Sequence, residues 1–250
     1  MGREVVKRIL PDLKREISPD LVIANAENLT HGDGFTSKHI EEMRGAGVDF
    51  FTSGNHVWGK ADGVSKLNDP KFAVIRPANF PSEKTPGRGY DIVEVNGSRI
   101  LIINLMGRVF MGKHLDCPFR TFDKIVEDEE ADYIFVDFHA EATSEKLAFG
   151  YYVDGRANAV VGTHTHVPTG DFQVLSGGTA YITDAGFTGA FDSVIGMKKE
   201  VVIEGFLTQL PIRHETEKEG RMVFNSVLIE LDEGSKKALN IMHVQKILSP

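Results

Sequence analysis

Val160-Val161-Gly162-Thr163-His164-Thr165-His166-Val167-Pro168 is an apolar run that ends in two histidines one residue apart. Its length and its β-branched residues suit a buried strand. If the chain stays extended past Gly162, His164 and His166 project to the same face, because strand side chains alternate. Such a pair is coincidence, core filling, or half of a metal cage. What stands at the ends of the other strands decides between these, since α/β sheets collect ligands at the carboxyl ends of their strands.

On the N-terminal side the pattern alternates. It predicts a helix over 143–153, a strand over 133–138, a helix over 119–130, and a hairpin of 90–95 and 99–105 about Asn96-Gly97. Short apolar runs follow at 73–75, 48–52 and 21–24. A helix over 36–46 sits between the last two, opened by Thr36 or Ser37 and closed by Gly45 and Gly47. Val5, Val6, Ile9, Leu10, Leu13 and Ile17 recur at helical spacing, with a kink or break expected at Pro11. The last third reads as β-rich, with strands over 171–175, 179–183, 221–231 and 238–247. The reading is a single α/β domain over residues 1–250, with a largely parallel sheet and no linker or repeat.

Composition excludes several classes. No stretch approaches the roughly 18 apolar residues of a membrane helix. The charged start MGREVVKRIL shows no secretory signal, and the single cysteine fits a reducing cytoplasm. Cys117 is the one cysteine, so internal disulfides and cysteine-rich zinc sites are excluded. A net charge of -8 argues against wrapping duplex nucleic acid, but it leaves room for a small anionic substrate beside a bound metal. There is no P-loop, GxGxxG, GxSxG or HExxH.

The strand ends answer the opening question. After 21–24 comes Asn25-Ala26-Glu27-Asn28, and after 48–53 comes Gly54-Asn55-His56. After 133–138 comes His139-Ala140-Glu141, and after 159–162 comes the HxH. Taken singly, Asn28 and Asn55 are turn residues and His139 a packed histidine. Four strand ends carrying Glu/Asn, Asn/His, His and His/His form a more specific pattern. Carboxylate, amide oxygen and imidazole together suit Fe, Mn or Zn. Glu27 has two oxygens and can bridge two ions, and Gly54 permits the close approach that brings Asn55 to one. His31, His39, His114, His214 and His243 have no such company. Trp58 reads as core, and Cys117 as a plain small residue.

These residues also resemble a known family. Asn25-Ala26-Glu27-Asn28, Thr52-Ser53-Gly54-Asn55-His56-Val57-Trp58, the 136–146 segment around Phe138-His139-Ala140-Glu141, and Val161-Gly162-Thr163-His164-Thr165-His166-Val167 are similar to the YmdB-like metallophosphoesterases of the calcineurin-like superfamily. Gly178-Thr179-Ala180-Tyr181-Ile182-Thr183-Asp184 also looks like the family. The resemblance implies a four-layer αββα sandwich, a di-metal centre of Fe or Mn (Zn being compatible), and hydrolysis of small phosphoesters, notably 2′,3′- or 3′,5′-cyclic nucleotides. It implies that Glu27 bridges the metals, that Asn28 and His166 serve the first, and that Asn55, His139 and His164 serve the second. Two ions roughly 3.5–4 Å apart would activate a hydroxide for in-line attack. His56 resembles the catalytic histidine and would protonate the leaving alkoxide.

The family ordinarily opens with a short strand ending in Gly-Asp, whose aspartate serves the first metal. Here Met1-Gly2-Arg3-Glu4-Val5-Val6 matches the turn and helix that follow it, so a start placed too far downstream or a truncated record is expected. Asp33, in its Gly-flanked loop, is the other carboxylate able to serve. Without that aspartate, two further readings stand beside the enzyme: a non-catalytic nucleotide-binding or scaffold protein, and a hydrolase using one metal. A homo-oligomer is compatible with the sequence.

Overall fold

A computed structural model describes residues 1–81 and 84–249. Helix α1 (Gly2–Ile17) leads into β1 (Ile23–Asn25), α2 (Ser37–Gly45), β2 (Phe50–Thr52) and α3 (Ala61–Lys66). Then come β3 (Tyr90–Val95), β4 (Ser98–Met106), α4 (Pro118–Asp128), β5 (Tyr133–His139), α5 (Thr143–Val153) and β6 (Ala159–Thr163). The chain closes with β7 (Gln173–Val174), β8 (Ala180–Ile182), β9 (Gly189–Ala190), α6 (Lys199–Thr208), β10 (Met222–Leu231) and β11 (Ala238–Leu248).

Six strands form one sheet in the order β3-β4-β5-β6-β8-β7, parallel through its centre from β4 to β8. Alternation along these strands sorts its two faces. Leu101, Ile103, Leu105, Val136, Phe138, Val160 and Tyr181 pack with Phe122, Ile125 and Phe149 of α4 and α5. Ile102, Phe135, Ala159, Val161, Ala180 and Ile182 face the other way. They meet Phe50 of β2 on one side and Val227, Ile229, Ala238 and Ile241 of β10 and β11 on the other. That second layer is two ladders, parallel β1–β2 and antiparallel β11-β10-β9. Val5, Leu10, Leu13, Ile40 and Met43 of α1 and α2 cover its far side, together with Met222 and Phe224. The layers run helix, sheet, sheet, helix, as expected.

Three local expectations need correction. Pro11 does not break α1, which runs through it. Pro11 is exposed, so the carbonyl it leaves without a backbone partner can be solvated. Residues 73–75 give an isolated bridge, Phe51 to Val74, rather than a strand. The β-rich last third also holds α6, whose run of Val201, Val202, Ile203, Phe206 and Leu207 shows no single apolar face. The hairpin stands: Asn96 and Gly97 have φ of 51° and 82°, as a two-residue turn with the twist of its strands requires. Among the described residues no helix is long and apolar enough to cross a membrane.

Candidate metal centre

The carboxyl ends of β1, β2, β5 and β6 meet between the two sheets. Asp137, on β5, is 2% exposed and binds all four together. It accepts hydrogen bonds from Asn25 Nδ2 at 2.9 Å, from Thr163 Oγ1 at 2.7 Å, and from the Thr52 hydroxyl. Burial pushes its carboxyl above the ordinary value, against these donors and His139, which favour the charged form. Asn104 Oδ1, one strand over, accepts the Ser53 N–H at 3.1 Å.

This footing fixes the imidazoles above it. His139 Nδ1 lies 2.9 Å from Thr163 Oγ1. The single hydroxyl hydrogen of Thr163 goes to Asp137, so Thr163 accepts from His139 and the ring proton sits on Nδ1. The bare Nε2 faces Asn55 Oδ1 at 2.8 Å, Glu27 Oε2 at 3.0 Å and His164 Nδ1 at 3.0 Å. His164 Nε2 in turn lies 3.0 Å from Glu141 Oε2, an acceptor, which leaves His164 Nδ1 bare as well. Two imidazole nitrogens, a carboxylate oxygen and an amide oxygen thus aim their lone pairs at one another.

A proton shared among them satisfies one contact, whereas a cation satisfies all four. Ligand atoms of Glu27, His139 and His164 lie within 4.8 Å of one another, and the donor set fits a transition-metal ion. Burial alone would push the Glu27 carboxyl up, but positive charge on the surrounding rings of His139, His56 and His164 pulls it down to about 2, so the pocket favours a cation beside Glu27. Burial, then the neighbouring His139, push His164 down to about 4, so it is neutral and able to ligate near pH 7.

His164 and His166 do not continue the strand. Their φ values are 105° and 69°, and the extended geometry expected of the HxH gives way to a turn after Thr163. The turn sends the two rings to different neighbours. His166 Nε2 lies 3.1 Å from Asn28 Nδ2, while its Nδ1 is buried with no hydrogen-bond partner among the described residues. The His166 ring stacks on Phe187, with centroids 5.8 Å apart. Asn28 Nδ2 also donates to Glu27 Oε1 at 3.0 Å, so Glu27 offers one oxygen to the His139 side and the other to the His166 side.

His56 stands at the rim, its side chain 44% exposed, with its backbone N–H 3.4 Å from Glu27 Oε2. Its Nδ1 lies 3.2 Å from Asp33 Oδ1, and Lys60 Nζ holds Asp33 Oδ2 at 3.1 Å. Asp33 is therefore committed to His56 and Lys60 and does not join the cluster. Gly54 lies against the cluster itself: a Cβ there would overlap Glu27 Oε2 and His139 Nε2. Sequence reading passed over Asp137, Thr163 and Glu141, the groups that set the tautomers. Asp137 sits two residues before His139 on the same strand face, and that spacing is the signal that could have found it.

The profile of the family described as YmdB-like protein matches residues 1–244. A Bacillus subtilis (strain 168) protein named 2′,3′-cyclic-nucleotide 2′-phosphodiesterase is 46% identical over 245 residues, covering 97% of this chain and 91% of that one. The crystal structure of a novel phosphatase from Mycoplasma pneumoniae superposes with a TM-score of 0.93 at 36% identity, covering 99% of this chain and 89% of that chain. A 5′-nucleotidase precursor from Thermus thermophilus shares the fold alone, with a TM-score of 0.52 at 16% identity over 100% of this chain and 48% of that one. The four layers, the strand-end residues and the whole-length match agree, and the chain belongs to the YmdB-like family, within the calcineurin-like metallophosphoesterase fold.

Proposed function

We propose that the protein is a metal-dependent phosphoesterase that hydrolyses small phosphodiesters, cyclic nucleotides with a 2′,3′- or 3′,5′-ring among them. The observation that carries this reading is the convergence of four lone pairs from Glu27, Asn55, His139 and His164, which one cation would satisfy. In this reading Glu27, Asn55, His139 and His164 hold one transition-metal ion, Fe or Mn before Zn. Asn28 and His166, with the second oxygen of Glu27, hold another. Bound ions of this kind supply Lewis acidity, neutralising phosphoryl oxygens and making water a better nucleophile. The names of the Bacillus subtilis and Mycoplasma pneumoniae relatives support the phosphoester class, and the first of them supports the cyclic nucleotide.

The chain's own residues do the rest. His56 reaches solvent at the rim, where a substrate's leaving oxygen would arrive. With Nδ1–H donated to Asp33, its Nε2 is free to carry a proton to the departing alkoxide as the P–O bond breaks and a water oxygen bonds to phosphorus. Asp137, Thr163 and Glu141 keep the lone pairs of His139 and His164 turned inward. Residues 1–250 act as one domain in this reading.

The test is hydrolysis of bis-p-nitrophenyl phosphate and of cyclic nucleotides with added Mn²⁺, in the wild type and in His56→Ala. Metal-dependent turnover that falls about 10²–10⁴-fold on the cyclic nucleotide in His56→Ala is expected. Nucleotide binding without turnover at any metal concentration would instead identify a scaffold, and elemental analysis separates one ion per chain from two.

A further inference from the structure

Lys146 and Asp184 form a buried ion pair that the proposed chemistry does not use. They come from two segments 38 residues apart, the start of α5 and the turn after β8, and their side chains are 1% and 2% exposed. Lys146 Nζ donates to Asp184 Oδ2 at 3.0 Å and to the Thr163 carbonyl at 2.7 Å. Asp184 Oδ2 accepts the Thr165 N–H at 2.9 Å and the Thr165 hydroxyl at 2.8 Å, while Oδ1 accepts the Gly186 N–H at 2.9 Å. The Asp184 backbone adds a reciprocal pair with Thr169: its N–H donates to Thr169 Oγ1 at 2.9 Å, and its carbonyl accepts the Thr169 N–H at 3.0 Å.

The pair thus grips the chain at Thr163, Thr165 and Thr169. His164 and His166 sit at alternate positions between those grips, each with a positive φ that L-residues rarely adopt. Strained conformations persist only where the surroundings over-determine them. A buried ion pair is by itself weak evidence of a stabilising role, since apolar residues of similar volume often replace one without loss. What distinguishes this pair is its direction: apart from the Gly186 N–H and the bond within the pair, its side-chain hydrogen bonds among the described residues run to the histidine turn.

We propose that the Lys146–Asp184 pair is a positioning device that holds the His164-Thr165-His166 turn so that both imidazoles are aimed at the metal centre, a role that rests on the metal-centre reading above. Neither residue touches the ligand atoms. Their effect passes through the Thr163 carbonyl and through Thr165, which stands between the two histidines.

The experiment uses the full chain with two variants, Lys146→Met/Asp184→Leu and Thr165→Val. The first replaces the pair by apolar residues and the second removes one hydroxyl from the turn. In the metal-free protein, long-range ¹H–¹⁵N spectra should show His164 of the wild type as the Nε2–H tautomer alone. Both variants should mix tautomers, and Mn²⁺ affinity by calorimetry should fall about 10–100-fold in the double variant and about 10-fold in Thr165→Val. The thermal midpoint of the double variant should stay near the wild-type value while its metal affinity falls, a split that a merely structural pair would not produce. Folded variants that keep the single tautomer and bind Mn²⁺ as the wild type does would overturn the proposal. If the double variant does not fold, Thr165→Val decides alone, with the buried pair intact. A wild type that takes up no Mn²⁺ sinks the metal-centre reading, and the tautomer spectra still decide the positioning role.

Discussion

At the scale of single residues, the site depends on lone pairs kept free by hydrogen bonds made elsewhere. Gly54 shows how little room remains. In Gly54→Ala the new methyl would overlap Glu27 Oε2 and His139 Nε2, displacing two of the proposed ligand atoms at once. Metal-dependent hydrolysis should fall at least about 100-fold, since a 1 Å misplacement costs that much. Assay at saturating Mn²⁺ checks it, and near-wild-type turnover would contradict the packing. His164 sets a second expectation, for the chelator-treated protein. Its folded pKa of about 4 lies below the ordinary 6.5, so as pH falls the unfolded chain takes the proton first. Its contribution is complete above about 6.5 and is lost progressively down to about 4. The thermal midpoint should drop across that window, and less steeply in His164→Gln. Glu27, whose folded pKa of about 2 lies below its ordinary 4.5, acts in the same direction at lower pH. Strain belongs to this scale too: left-handed backbone at His164 and His166 costs on the order of 1–3 kcal/mol each.

At the scale of elements, α5 does two jobs from its one buried face. Phe149 locks it to the sheet, stacked on Phe138 with centroids 4.3 Å apart and set edge-on to Phe119 and Phe122. Lys146, one turn earlier, reaches the histidine turn. Phe149→Ala should cost about 3–5 kcal/mol in urea unfolding, because the close-packed helix–sheet layer cannot refill that volume. A loss below about 1 kcal/mol would show that the layer collapses readily. The 90–105 hairpin was legible from sequence, because Asn96-Gly97 and the alternation beside it are local signals, and the 143–153 helix also stands where it was expected. Helix α6 was not legible, because its apolar residues surround the axis and several remain exposed, Phe206 and Leu207 among them. Pro11 misled in the other direction, since an exposed helix face tolerates the lost hydrogen bond that a buried one would not.

At the scale of the whole molecule, the candidate centre sits where the two sheets face each other, with residues contributed from both. Glu27 and Asn55 follow strands of one layer, while His139, His164 and His166 follow strands of the other. In the proposed reading, a bound metal would therefore staple the layers. Saturation at 100-fold over its dissociation constant adds about 2.7 kcal/mol, or roughly 5–10 °C in thermal midpoint for a chain of this length. Scanning calorimetry with Mn²⁺ and after chelation checks this, and coincident midpoints would refute the staple. The sequence by itself determined the four strand ends, the residue types on them and the family they resemble, because strand periodicity and donor chemistry are local properties. Which atoms meet was decided only by tertiary structure. Asp33 goes to His56 rather than to the cluster, Asp137 sets the tautomer of His139 through Thr163, and Lys146 reaches Asp184 across 38 residues. Each of those contacts joins segments that sequence spacing leaves unrelated, and only the side-by-side pairing of β1 with β2, of β5 with β6 and of β6 with β8 brings them within hydrogen-bond reach.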